Sequence, residues 1–261
     1  MKDQKKYTVI TGASSGIGRE TAMAFAGRGK NLIVIARRKE RLHDLQSEVS
    51  KVDPTVEVVT RICDLSILQN AYRLYEDLAA YPIETWINNA GVGSYGSVAT
   101  QKMDKLESLL RLNVEAVSVL SCLYARDYKD VQGAQLINIS SRGGYVIVPN
   151  AVAYCATKFF VSAFTEGLAH ELKAAGAKLQ AKVLAPAATE TEFGRIANNV
   201  SEYDYDKRFE KYHTSKQMAA FLLRLYDSHY TVGTVDRETF AFRLEDGLFA
   251  YAGSSGRNQK Q

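Results

Sequence analysis

Short apolar runs alternate with longer segments of helical period along most of the chain. YTVIT (7–11) leads into a segment spanning 16–26, and NLIVIA (31–36) into KERLHDLQSEV (39–49). VEVVTRI (56–62) precedes SILQNAYRLYEDLAA (66–80), TWIN (85–88) precedes a long segment over 102–129, and AQLINIS (134–140) precedes another over 152–175. KLQAKVLA (178–185) closes the series. Strands that alternate with helices predict right-handed βαβ units on a parallel sheet. The runs are nearly continuous in apolar residues, as strands covered by helices on both faces require. The expected fold is α/β, a doubly wound parallel sheet in a single domain over 1–252. After Pro186 the rhythm breaks: 192–213 is polar and aromatic, a last helix is expected over 216–226, and GSSGRNQKQ (253–261) reads as a disordered tail.

Composition narrows the possible functions. The chain has 261 residues, 46% apolar and 24% charged, enough to bury a substantial core. The formal charge is +4, and no dense Lys/Arg run is interleaved with aromatics, so nucleic acid is not an expected partner. No run of about 18 apolar residues predicts a membrane span. The N-terminus carries charges without the apolar stretch of a signal peptide. Cys63, Cys122 and Cys155 suit neither a disulfide framework nor a zinc site, and the four histidines lack metal spacing. A reduced, cytoplasmic compartment and no metal are expected.

The first strand is followed at once by TGASSGIG (11–18). Gly12 permits a tight turn, Gly16 clears space where backbone approaches phosphate, and Gly18 lets the helix pack closely. The helix N-terminus then offers free N–H groups to a pyrophosphate. The spacing is G-x-x-x-G-x-G, and here the chain resembles the short-chain dehydrogenase/reductase family, whose cofactor loop follows this pattern. The resemblance implies a Rossmann fold with Gly12, Ser14, Ser15, Gly16, Ile17 and Gly18 around the cofactor. An NAD-selective site carries an acid at the end of the second strand, whereas NADP needs cations for its 2′-phosphate. IARRKER (35–41) places Ala36 at the acidic position with Arg37 and Arg38 behind it, so NADP(H) is the expected cofactor. A solvated helix start accounts for Lys39 and Arg41. By resemblance, Asp64 meets the adenine amino group, Leu65 lies against that ring, and Asn89, Ala90 and Gly91 of NNAG (88–91) line the adenosine ribose, while Asn88 ties the central strands together.

Tyr154 and Lys158 in YCATK stand four residues apart, but so do Tyr203–Lys207 and Tyr212–Lys216. The surroundings decide. Ser141 lies 13 residues before Tyr154, and Asn113 lies 28 before Ser141. Both intervals match the Asn, Ser, Tyr, Lys set of the family. Carbonyl reduction needs hydride and a proton donor at the forming alkoxide, and a free tyrosine, with a pKa of about 10, exchanges protons poorly near neutrality. An ammonium one helical turn away and the charge of oxidised nicotinamide favour the phenolate. Lowering the pKa by about 3 units takes roughly 4 kcal/mol. Ser141 is expected to hold and polarise the substrate oxygen. By resemblance, Lys158 also binds the nicotinamide ribose, and Asn113 holds a water that passes protons to Lys158. As a residue of a long helical segment, Asn113 equally fits a plain polar helix position. Ser140 is expected to make a structural hydrogen bond and Cys155 to be a packing residue. In LAPAATETEF (184–193), Pro186, Thr189 and Thr191 fit the family's segment over the nicotinamide carboxamide, with Ala187 where glycine is usual.

The resemblance implies an NADP(H)-dependent oxidoreductase that transfers hydride between nicotinamide and a carbonyl or secondary alcohol, with Tyr154 as general acid/base. The alternative is a dinucleotide-binding sensor or scaffold in which catalysis is incidental. By position the substrate pocket includes 93–95, 143–148 and 192–213 as a mobile lid. Tyr95, Tyr145, Val146 and Phe193 suggest an apolar or aromatic small-molecule substrate. By resemblance, fatty-acyl thioester reductases, steroid-type dehydrogenases and sugar or polyol dehydrogenases share this core, and fold does not choose between them. The family associates through its two long helices, here 102–129 and 152–175, and Phe159, Phe160, Val161 and Phe164 cannot all face one core side. A homodimer or homotetramer is expected.

Overall fold

In the computed structural model, residues 5–252 are described. The tail expected at 253–261 lies outside the described residues. The chain runs β1 (Tyr7–Thr11), α1 (Gly16–Ala26), β2 (Asn31–Ala36), α2 (Lys39–Val52), β3 (Val58–Ile62), α3 (Leu68–Asp77) and β4 (Ile83–Asn88). There follow α4 (Met103–Leu110), α5 (Val117–Tyr128), β5 (Gln135–Ile139), α6 (Val152–Ala174) and β6 (Gln180–Ala185). The last third contains β7 (Thr189–Glu190), α7 (Glu192–Asn198), α8 (Tyr205–Arg208), β8 (His213–Thr214), α9 (Ser215–Asp227), β9 (Val232–Val235) and β10 (Phe242–Glu245).

The main sheet has the order β10-β9-β6-β5-β4-β1-β2-β3, parallel throughout except for β10. Chain order reverses between β1 and β4, so a crevice opens there at the carboxyl ends of the strands. Successive side chains in each strand serve opposite faces. Ile10, Leu32 and Val34 join Phe25, Leu45 and Leu222 under α1, α2 and α9. Val9, Ile33 and Ile35 join Leu74, Trp86 and Tyr124 under α3, α5 and α6.

The sheet does not end at β6, as the sequence rhythm suggested. β9 adds a parallel strand and β10 an antiparallel edge. Both are four residues long, and VGTV carries a glycine, so neither shows the long apolar signature of the earlier strands. The 192–213 segment is likewise not featureless: it holds α7, α8 and one strand of a small sheet in which β7 pairs with β8.

α4 and α5 are joined through a π-helical turn, Arg111–Ala116, into one helix over Met103–Tyr128. By length and composition this helix could cross a membrane. Its apolar side chains have a different use here: Leu109, Ala116, Leu120 and Tyr124 are buried, the last three in the core under α3, α5 and α6.

Lys182 in β6 is 1% exposed, and its Nζ donates to the carbonyls of Leu225 (3.1 Å), Tyr226 (2.9 Å) and Ser228 (2.6 Å). Burial pushes its pKa down to about 8. The three acceptors at the negative end of α9 offset that cost. Lys182→Met, which keeps the volume but takes a donor from the Ser228 carbonyl while Leu225 and Tyr226 keep Ser228 and Gln135 as donors, is expected to lower stability by about 1–3 kcal/mol, read as a fall of several degrees in the thermal unfolding midpoint.

Candidate active site

The site is built where β1 and β4 part. Thr11 Oγ1 accepts from the backbone N–H of Asn89 and of Ala90, each at 3.0 Å, and the Asn89 amide donates back to the carbonyls of Thr11 (2.9 Å) and Gly12 (3.2 Å). Gly12 has φ +68°, and a Cβ there would sit 2.8 Å from Ala90 Cα. Gly18 faces the Asn89 amide and the Gly12 carbonyl, so a side chain there would collide with both. The close packing expected at Gly18 is thus against Asn89, and the Asn89 side chain ties strand to loop.

Above these ends lies a cavity of about 820 Å³. Gly12, Ser14, Ser15, Gly16 and Ile17 line one part of it, with Arg37, Arg38, Asp64 and Leu65 beside them. Asn89, Ala90 and Gly91 form its floor, and Ser141, Tyr154, Lys158, Pro186, Thr189 and Thr191 line the remainder. Arg38 donates to Ser14 Oγ through Nε (3.2 Å) and Nη2 (3.0 Å), and to Ser15 Oγ through Nη2 (2.7 Å). Arg37 is more open, with Nη1 3.9 Å from Asp64. Asp64 Oδ1 also accepts from Ser66 N and Oγ, at 3.0 and 2.7 Å. A dinucleotide suits this lining: glycines clear the floor, two hydroxyls and two guanidinium groups face the adenosine end, and the volume falls within the range of small-molecule sites.

Three elements carry the four catalytic candidates. Ser141 ends the β5 loop and accepts from Gly143 N at 3.1 Å. A Cβ on Gly143 would lie 3.5 Å from Ser141 Oγ and 3.7 Å from Tyr154 Cε1, so hydroxyl and phenol ring meet around this glycine. Lys158, one turn along α6, has its Nζ 5.9 Å from the Tyr154 ring centre and donates to the Ile139 carbonyl at 2.9 Å. Asn113 sits in the π-turn, a helix irregularity frequent at functional sites. Its Oδ1 accepts from Val92 N (2.9 Å), while its Nδ2 donates to Val92 O (2.9 Å) and Thr157 Oγ1 (3.1 Å). The side chain therefore anchors the β4 loop to α6 and does not line the cavity. Ser140 bonds the Lys158 carbonyl (2.9 Å) and Ser162 (2.7 Å), the structural role expected of it.

The model of the short chain dehydrogenase family matches residues 6–201. The chain belongs to the short-chain dehydrogenase family. An uncharacterized oxidoreductase of Staphylococcus saprophyticus is 32% identical over 206 residues, covering 76% of this chain and 79% of that protein. Among solved structures, a short-chain dehydrogenase from Sphingobium yanoikuyae in complex with NADPH superposes with a TM-score of 0.81 at 29% identity, covering 89% of this chain and 88% of the other. The bulky-bulky ketone specific alcohol dehydrogenase of Comamonas testosteroni does so with a TM-score of 0.76 at 27% identity, covering 87% and 85%.

Within this short-chain dehydrogenase, one side of the cavity is aromatic. Tyr154 lies between Tyr95 (ring centres 6.4 Å apart) and Phe193 (5.5 Å). α7 is docked over the site: Tyr95 N donates to Ala197 O at 3.2 Å, and a Cβ on Gly93 would meet Phe193 and Ala197. Val146 lines the cavity as expected, with Ile147, Val148, Ile196, Tyr203 and Tyr205. Tyr145 does not. Its hydroxyl donates to the buried Glu166 at 2.6 Å and its ring stacks on Phe249, 5.1 Å away, so it is removed from the substrate wall. Asp236, Arg237 and Phe240, after β9, also line the cavity. They went unread because the sequence gives no periodic signal there. Ala187 keeps an ordinary backbone: Asn150, Asn199 and Phe240 are the non-glycine residues with positive φ among the described residues. Alanine fits the backbone at that position without a left-handed φ.

Burial pushes the Tyr154 phenol up, and the Ser141 hydroxyl partly opposes it. Burial alone pushes Lys158 down to about 8. The unfolded lysine titrates near 10.4, so the cost of burying the ammonium is fully present below pH 8 and disappears as pH rises toward about 10.4; from the shift it is on the order of 3 kcal/mol. Unlike Lys182, Lys158 has one carbonyl partner to offset it. Lys158→Met is expected to abolish turnover yet raise stability at pH 7 by about 1–2 kcal/mol, the gap closing by pH 10; denaturant unfolding at the two pH values checks this.

Proposed function

We propose that this dehydrogenase is an NADP(H)-dependent carbonyl reductase, or secondary alcohol dehydrogenase in reverse, with Tyr154 as general acid/base. One observation carries the reading: Ser141, Tyr154 and Lys158 line the same cavity as Ser14, Ser15, Arg37 and Arg38. When bound, the nicotinamide would supply or accept hydride. Gly12, Gly16 and the N-terminus of α1 would hold the pyrophosphate, Arg37 and Arg38 the 2′-phosphate, Asp64 and Leu65 the adenine, and Asn89 to Gly91 the ribose. Lys158, Pro186, Thr189 and Thr191 would hold the nicotinamide half.

Ser141 Oγ donates to the substrate oxygen and keeps it beside the Tyr154 hydroxyl. Tyr154 delivers its proton to that oxygen as charge develops there, and Lys158 stabilises the phenolate left behind. The buried tyrosine and the nearby ammonium oppose one another, so the phenol stays protonated until the substrate oxygen demands the proton. Tyr95, Val146 and Phe193 favour an uncharged apolar or aromatic carbonyl compound, and α7 with α8 forms the lid above it.

Two further readings rest on other observations. Cys63, Cys122 and Cys155 are unpaired, which supports a reducing, cytoplasmic setting. Met103 and Leu110 remain exposed on α4, while Phe159 on α6 is packed by Phe249 of the same chain. Association through the long helices thus uses what Phe249 leaves open, and light scattering at micromolar concentration is expected to give a dimer or tetramer of the 28.9 kDa chain; a monomer refutes it.

Tyr154→Phe is expected to lower turnover of an apolar ketone with NADPH by about 100- to 10,000-fold while leaving NADPH binding intact. Arg37→Ala should weaken NADPH about tenfold and NADH little, read by nicotinamide fluorescence. Unchanged turnover in the tyrosine variant, or a wild type that reduces no member of a broad carbonyl panel, refutes the proposal and favours the sensor alternative.

A further inference from the structure

One carboxylate in the cofactor half of the cavity has no part in this chemistry. Glu192 opens α7, and its Oε2 accepts from Nη1 of Arg38 at 2.8 Å. Nε and Nη2 of that guanidinium donate to Ser14 Oγ and Ser15 Oγ. Two hydroxyls and a planar fork of N–H groups form the donor set that an oxyanion takes, and here the oxyanion on it is a side chain. The Arg38 guanidinium holds the Glu192 carboxyl below its ordinary range against the opposing effect of burial, with Ser15 adding to the effect.

The position of Glu192 gives this pair a consequence. Thr191, just before it, lies against Gly16 of the cofactor loop: a Cβ on Gly16 would be 2.9 Å from Thr191 Cγ2. Phe193, just after it, lies against Tyr154. Three successive residues therefore touch the phosphate loop, the phosphate-binding arginine and the catalytic tyrosine.

We infer that Glu192 is a specificity-determining residue that occupies the phosphate-binding face of Arg38 and disfavours the 2′-phosphorylated dinucleotide relative to its unphosphorylated counterpart. The inference rests on the NADP(H) reading above. A 2′-phosphate that reaches Arg38 brings a second anion into a space already holding a carboxylate, and like charges at such separations repel. NADP(H) must displace Glu192, and the first turn of α7 shifts with it. NAD(H), lacking the phosphate, leaves the pair closed.

The test is isothermal titration of the full-length protein with 2′,5′-ADP and with ADP, for wild type and Glu192→Gln. Glutamine keeps the shape and one acceptor oxygen and removes the charge. The pair is partly exposed, at 42% and 30% of its two side chains, so a modest effect is expected. The variant should bind 2′,5′-ADP about three- to five-fold more tightly and ADP as the wild type does. Glu192→Ala should show the same selectivity, which separates charge from any local rearrangement caused by glutamine. An unchanged ratio of the two affinities, or looser binding of 2′,5′-ADP in both variants, overturns the inference. A wild type that binds ADP as tightly as 2′,5′-ADP overturns the NADP(H) reading, and Glu192 keeps its role only if both variants then bind 2′,5′-ADP more tightly. Tight 2′,5′-ADP binding that neither variant alters leaves the reading standing and removes Glu192 from it.

Discussion

The bonds between Thr11 and the Asn89–Ala90 backbone are the constraint on which the site depends. β1 and β4 are neighbours in the sheet, yet the loops that leave them run to opposite sides of the crevice. Without a tie at the exit, two adjacent strand ends would be free to splay. One hydroxyl accepts two N–H groups, and one amide donates to two carbonyls, so backbone groups leaving the ladder are satisfied without water. Two glycine requirements follow. Gly12 must turn against Ala90, and Gly18 must admit the Asn89 amide. The cofactor loop thus owes its glycines to the protein's own packing as well as to a phosphate.

A second polar network stiffens the floor one layer down. Asn88 accepts from Trp86 Nε1 (2.8 Å) and donates to Ser121 (3.1 Å) and Asn138 (2.9 Å), and Asn138 donates to Thr165 on α6 (2.9 Å). These groups are buried, and a partly satisfied network there would cost more than apolar packing. With its partners in place it fixes β4, β5, α5 and α6 in one register. Asn113 repeats the device at the next level, holding Val92 and Thr157. These side chains therefore help determine where Ser141, Tyr154 and Lys158 stand.

Much of this was legible in the sequence, and the rest was hidden for physical reasons. Six strands and the long helices have periods that packing on two faces enforces, so runs such as NLIVIA and the segment around YCATK read directly. The intervals that match the family's set pointed to Ser141 and Tyr154 together, and both line one cavity. β9 and β10 are too short to show a period, and β10, at the sheet edge, is half exposed. Tyr145 shows the limit of reading by position. It adjoins Val146, which faces the cavity, but a buried acceptor on α6 turns it the other way, and no local pattern reports a partner 21 residues distant. Arg38 and Glu192 stand 154 residues apart, and their meeting follows from the docking of α7, which no motif encodes.

Glu166 joins two regions that look unrelated in the chain. Its Oε1 receives the Tyr145 hydroxyl, and its Oε2 receives the backbone N–H groups of Leu248 (2.8 Å) and Phe249 (3.0 Å). At 2% exposure this carboxylate has no water to replace a missing donor. Residues 248 and 249 are thereby a structural member of the wall behind the Ser141 loop. Any change that detaches residues 248–249, whether by proteolysis or by a fusion that pulls them away, would leave the acid half-satisfied and loosen Tyr145. The geometry around Ser141 would then be disturbed by an event about a hundred residues away in sequence, with Ser141, Tyr154 and Lys158 all still present.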